Sequence, residues 1–272
     1  MEIKWKELSK TPSKMTNMTR HSIPVGLYIE ASQVFHWATK RHFQLWFTGE
    51  AKKRHRRTEA VLARLAKSGK LRSVPYGKKL IYAAPKNVKG QAIDEFSGMS
   101  KVVHGLACTE CLVRFYRSRL DGVVVAERYF YGLGSVPEWG IIYPNGKILL
   151  FEFCTKSNFY FTGNMKGKLE AYRKNLENIE RKFQAKAVVV FVIDVSRATL
   201  ERYVGSLRRD VGSVADAPPD GGFSPLLPLF FTDYKAFLEV PIGSQLVAPI
   251  YFWIADAKAY QLSQNAGLET NN

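Results

Sequence analysis

The sequence is short of three things: cysteine, acidic side chains and long apolar runs. Three cysteines in 272 residues cannot build a disulfide framework, so the fold must rest on its core, and a reducing interior is expected. Cys108 and Cys111 have CxxC spacing, but no second pair accompanies them. A lone CxxC is a weak zinc signal, and both thiols are expected to pack along one side of a helix. No apolar run reaches the roughly 20 residues that a membrane-crossing helix needs. Met1 to Arg20 is polar and basic, without the apolar segment of a secretory signal. A membrane is therefore not an expected partner. No internal repeat is visible.

The shortage of acids decides the class of partner. Forty Lys and Arg face 24 Asp and Glu, a formal net charge of +16. So large an imbalance calls for a polyanion, most often nucleic acid. What is plentiful is core material: 46% hydrophobic residues, including 17 Phe, are ample for one large or two modest domains.

Read in order, residues 1–24 form a basic, flexible arm, and a helix-rich module spans 25–85. Leu27, Ile29, Val34, Phe35 and Ala38 can line one side of a helix ending near Lys40, Arg41 and His42. Phe43 to Phe47 is a short second element closed by Thr48 and Gly49. The densest basic segment follows: Lys52, Lys53, Arg54, His55, Arg56 and Arg57. It runs into Val61, Leu62, Leu65 and Ala66 at helical spacing, and Gly69 fits the left-handed stop. Two strand-like runs, Leu71 to Val74 and Lys79 to Ala83, flank a turn with a basic tip. Helix, short helix, basic-ended helix and β-hairpin are the parts of a winged helix-turn-helix. In that arrangement the third helix meets base edges of duplex DNA, with Lys52, Lys53, Arg54, Arg56, Arg57 and Arg64 as its cations. Lys78 and Lys79 on the wing would meet phosphate. A cationic helix alone is more often a solvated face, or a contact for acidic protein. Here Arg64, Lys67, Lys70 and Arg72 add to it with only Glu50 and Glu59 opposing, which favours DNA.

Residues 86–98 read as a linker, residues 99–262 as an α/β domain, and residues 263–272 as a disordered tail. Val102 to Leu120 is a helix with an apolar side; His104 and Glu110 are its polar members, and a lone histidine there is more often structural. Val123 to Ala126 and Tyr129 to Tyr131 are strand-like. Then comes the stretch on which the rest is built. Glu138, Trp139, Gly140, Ile141 and Ile142 are joined through Asn145 and Gly146 to an apolar run from Lys147 to Phe153 that carries Glu152. Asn-Gly is a strong hairpin signal, and strand alternation puts Glu152, Cys154 and Lys156 on one face. Two acids and a lysine on adjacent strands can hold a divalent cation and polarise a phosphate, although paired strand acids are more often rim charges. A long helix from Lys166 to Phe183, a continuous apolar strand from Lys186 to Asp194 and a helix from Thr199 to Arg209 indicate an α/β layer with a right-handed crossover. Leu229 to Thr232 and Ile250 to Ile254 are late strands. Aromatics such as Tyr129, Phe130, Tyr131, Phe159, Tyr160 and Phe161 interleave with basic residues and offer RNA stacking as a weaker alternative to core packing.

This order of features resembles the replication-relaxation family, DNA-binding proteins of plasmids and other mobile elements. These join a winged helix-turn-helix to a domain similar to the PD-(D/E)xK nuclease fold. The likeness covers about Leu27 to Val204. It rests on Leu65 to Leu71, on His104 and Pro137-Glu138, on Ile148 to Phe153 with Thr155-Lys156-Ser157, and on the helix with Lys168 and Tyr172. It implies an α+β / α/β chain, a winged helix-turn-helix followed by a restriction-endonuclease-like mixed sheet. It also implies Mg²⁺ held by Glu110, Glu138 and Glu152, with Glu138, Glu152 and Lys156 as the catalytic set. Two positions depart from the family pattern: Glu138 stands where an Asp is usual, and Cys154 where the motif lysine belongs. A neutral thiol supplies no ammonium to a phosphate, so Lys156 on the strand, or Lys166 or Lys168 from the helix, would have to substitute. Two readings follow. One is a DNA-binding protein acting in replication or mobilisation, with a degenerate nuclease-like domain. The other is a Mg²⁺-dependent DNA endonuclease. Both place the chain in the cytoplasm at the nucleoid and admit a homodimer and protein partners of a replication or mobilisation complex.

Overall fold

A computed structural model describes residues 23–49, 56–85, 99–118, 122–160, 162–212, 229–239, 251–253 and 259–261. The chain divides into two compact units: Met1–Tyr131 with Glu138–Pro144, and Gly132–Pro137 with Asn145–Asn272. The fold is mixed α+β: the first unit holds a small antiparallel sheet, and the second holds five consecutive paired strands of a mixed sheet. Among the described residues no helix is long and apolar enough to cross a membrane. The sequence expectations for most of the arm, for Lys52, Lys53 and Arg54, and for the linker and tail fall outside the described residues.

In the first unit, α1 (Val25–Val34) is followed by β1 (Ala38–Thr39), α2 (Lys40–Thr48) and α3 (Arg56–Lys67), then β2 (Arg72–Tyr76) and β3 (Lys79–Ala83). The single helix expected through Ala38 is interrupted at Phe35, which is extended at φ −83°, ψ 136°. Two gains outweigh continuing the helix. Phe35 and Trp37 become buried, and Ala38 and Thr39 pair with Tyr82 and Ile81, setting the sheet order β1-β3-β2. The core is aromatic: Phe35 meets Phe43 and Trp46 edge-on, each at 5.2 Å between centroids, and Tyr28 lies 4.8 Å from Phe47.

α3 is amphipathic at helical period. Thr58, Val61, Leu62 and Leu65 are buried, while Arg57, Ala60, Ala63, Arg64 and Lys67 are exposed. Gly69 adopts φ +69°, the left-handed conformation its stop position demands, and the Lys70 amide donates to the Leu65 carbonyl at 2.9 Å.

α4 (Met99–Ser118) and β4 (Val123–Ala126) follow, with a 3₁₀ turn over Glu127–Phe130 where a strand was expected, and then β5 (Trp139–Ile142), antiparallel to β4. α4 packs on α2, with Tyr116 stacked on Trp46 at 4.1 Å. Elements that the sequence division assigned to a domain beginning at residue 99 thus belong to the first unit.

The second unit contains β6 (Lys147–Cys154), α5 (Lys156–Tyr160), α6 (Thr162–Phe183), β7 (Lys186–Ile193), α7 (Arg197–Gly212), β8 (Leu229–Asp233), α8 (Tyr234–Glu239), β9 (Tyr251–Trp253) and β10 (Ala259–Gln261). Its strand order is β10-β9-β8-β7-β6, with β6, β7 and β8 parallel and β9 and β10 antiparallel additions. The apolar run of β7 is central, as a strand covered on both faces should be. Phe191 on it stacks on Phe231 at 5.3 Å and meets Tyr172 edge-on at 6.0 Å. Gly146 takes φ +73°, and the Asn145 side chain accepts the Lys147 amide at 3.2 Å, so the Asn-Gly pair does form a tight turn.

Candidate functional site

Four polar constellations carry chemistry among the described residues. The first is the outer face of α3. Arg57, Arg64 and Lys67 are exposed on it, and Ala60 and Ala63 between them leave the helix surface low. Glu59 is taken by Lys40 at 2.8 Å. Lys78 and Lys79 are exposed beside Gly77, which turns the β2–β3 hairpin at φ +56°. Arg72 lies over the Trp37 ring at 5.8 Å. Arg56 opens α3.

The second constellation surrounds Glu110, at 7% exposure one of the few buried charges. Arg41 donates to its Oε2 at 2.5 Å and Arg114 to its Oε1 at 2.8 Å. His42 Nε2 lies 3.0 Å from the same Oε2. His42 Nδ1 accepts the Thr39 amide at 3.2 Å, so the proton of the neutral ring sits on Nε2 and is donated to Glu110. Burial works against the charge, but the His42 hydrogen bond and the charges of Arg41 and Arg114 outweigh it and hold the carboxyl at about 2. Both oxygens of this expected Mg²⁺ ligand are therefore committed to protein cations. His42 and Arg41 were legible only as the end of a helix, and nothing in the spacing ties them to residue 110.

Glu138, directly before β5, centres the third. His104 Nε2 lies 2.8 Å from its Oε1, and His36 Nε2 lies 3.5 Å from its Oε2 and 3.3 Å from its backbone oxygen. His36 is also 3.9 Å from Glu127, which accepts the Tyr131 hydroxyl at 3.2 Å. Burial raises the Glu127 carboxyl above its usual range; His36 opposes this and Glu138 adds to it. One turn along α4 from His104 stands Cys108, fully buried. Ligand atoms of His104, Cys108 and Glu138 all lie within 4.8 Å of one another. His104, read from the sequence as structural, is thus drawn into a polar cluster, and His36 was missed entirely.

Glu152 belongs to the second unit, on β6, and is 2% exposed. Lys168 from α6 forms an ion pair with its Oε2, and the Tyr172 hydroxyl donates to Oε1 at 2.7 Å. Lys168 and Tyr172 are four residues apart and so share a helix face. Lys156 does not share the strand face of Glu152. β6 ends at Cys154, the Thr155 hydroxyl accepts the Asn158 amide at 3.4 Å, and Lys156 opens α5 with an exposed side chain. The cap ends the alternation one residue before it would reach Lys156. The ammonium beside Glu152 therefore comes from the helix. Burial pushes the Cys154 thiol up to about 11, with Lys168 opposing and Glu152 adding, so it is neutral at physiological pH. Glu138 and Glu152 lie in different units.

A comparison of the chain with protein-family models finds no match, and one with curated proteins finds none.

Proposed function

We propose that the chain is a duplex-DNA-binding protein of a plasmid, phage or other mobile element, acting in replication or mobilisation. Its first unit is read as a winged helix-turn-helix extended by α4, β4 and β5. The observation that carries this is the α3 face: cations at Arg57, Arg64 and Lys67 separated by alanines small enough to let the helix approach a groove floor. The element order α1-β1-α2-α3-β2-β3 and the cationic turn at Lys78 and Lys79 support it. The excess of +16 supplies the long-range attraction. The test is fluorescence anisotropy on labelled duplex with the Arg57→Ala/Arg64→Ala variant. Both side chains are exposed, so folding should be unchanged while binding is lost; retained binding would remove α3 from the reading.

One observation favours a second reading, the Mg²⁺-dependent DNA endonuclease. Lys168 supplies beside Glu152 the ammonium that Cys154 cannot. Incubation of supercoiled DNA with Mg²⁺ or Mn²⁺ tests it. Nicking abolished by Glu152→Ala would establish the enzyme, and intact DNA under every metal would leave a binding protein.

A further inference from the structure

We propose that His104, Cys108 and Glu138 form a binding site for a soft divalent cation of the zinc class, separate from the Mg²⁺ considered above. The donors arrive from two elements. α4 presents His104 and Cys108 four residues apart on one face, and the start of β5 brings the Glu138 carboxylate to them. All three ligand atoms fit within 4.8 Å. A tetrahedral zinc with an imidazole, a thiolate and a carboxylate needs donor–donor separations of about 3.3–3.8 Å. The His104–Glu138 contact, 2.8 Å, would open by about half an ångström to admit the ion. One thiolate and one imidazole select zinc or cobalt over magnesium, which prefers oxygen donors throughout.

The surroundings suit such a site. His36 Nε2, 3.5 Å from the second oxygen of Glu138, is placed to orient the carboxylate from outside the coordination sphere. Glu127, 3.9 Å from His36, and Tyr131, whose hydroxyl donates to Glu127, extend that polar shell. Side-chain exposures of 24% for His104 and 13% for Glu138 leave a route from solvent to a thiol that is itself buried. Three protein donors leave a fourth position for water. Binding requires the Cys108 thiolate, so one proton per ion passes from sulfur to solvent, and affinity falls as pH is lowered. The CxxC spacing is incidental: Cys111 is buried, and no ligand cluster of described residues includes it.

The experiment is cobalt loading of the full-length chain after chelator stripping, read by absorption spectroscopy. One Co²⁺ per chain, a thiolate-to-cobalt charge-transfer band and intense tetrahedral d–d bands are expected, with Zn²⁺ but not Mg²⁺ competing. His104→Ala and Cys108→Ser should abolish the charge-transfer band, and Cys111→Ser and Cys154→Ser should keep it. His36→Ala should weaken affinity roughly 10- to 100-fold while the band survives. Since Cys108→Ser replaces a buried side chain, far-UV circular dichroism accompanies each variant, and the partly exposed His104 gives an independent arm. Absence of the band from the wild-type chain, its persistence in a folded His104→Ala variant, or its loss only on replacing Cys111 or Cys154 would overturn the site. The Arg57→Ala/Arg64→Ala variant should load cobalt normally, so failure here and failure of DNA binding are separable.

Discussion

Glu110 shows how a buried carboxylate can be legible as an acid and illegible in its role. The sequence marked it as a polar residue on an apolar helix. Only the fold reveals that Arg41, His42 and Arg114 converge on it. Its folded-state value, about 2, lies below the ordinary 4.5. A depressed carboxyl stabilises the fold above its unfolded value, and that stabilisation disappears as pH falls from about 4.5 towards 2. The shift corresponds to roughly 3 kcal/mol. Denaturant titrations between pH 6 and pH 2 should show this loss in the wild type and a flatter profile in Glu110→Gln. At neutral pH that variant should be less stable by about 3–5 kcal/mol, because the nearly buried Arg114 loses its ion pair with the carboxylate. A smaller effect is expected at Glu152. Tyr172→Phe removes one hydrogen bond to a buried carboxylate, and urea unfolding should register a loss of about 1.5–3 kcal/mol.

At the scale of elements, the sequence displayed whatever is encoded within one turn or one strand. The Gly69 stop, the Asn145-Gly146 turn and the buried stripe of α3 are local patterns, and the fold contains all three. The apolar run of β7 is equally local. Its length and its continuity mark a central strand before any neighbour is known. What was not visible depends on distant contacts. Phe35 leaves the helix because the extended chain buries it against Phe43 and Trp46 and lets Ala38 and Thr39 pair with β3, which lies more than forty residues on. His36 meets Glu138 across 102 positions, where no periodicity reaches. Lys156 left the strand because Thr155 caps a helix, a competition that alternation alone does not weigh. The α3 reading makes an elemental prediction of its own. Each cation on that face that meets a phosphate contributes about one unit to the slope of log affinity against log salt. Replacing Lys67 by Ala should therefore weaken duplex binding modestly and reduce that slope by about one, as followed by anisotropy over a salt series.

The whole molecule is an excess of cations on a frame of two units, and neither unit is a continuous segment. The backbone changes unit between residues 131 and 132, again between 137 and 138, and a third time between 144 and 145. A fragment starting at residue 99 would keep α4 but lose α2, uncovering the aromatic face where Tyr116 stacks on Trp46. Such a fragment should express poorly in soluble form and bind a hydrophobic dye, whereas the full chain should do neither. The threading has a practical corollary for anyone dividing the gene. A single cut anywhere in that short stretch strands part of one unit on the other's polypeptide, so two halves made separately would each carry an orphan strip and lack a matching one. Function is better dissected residue by residue than with scissors.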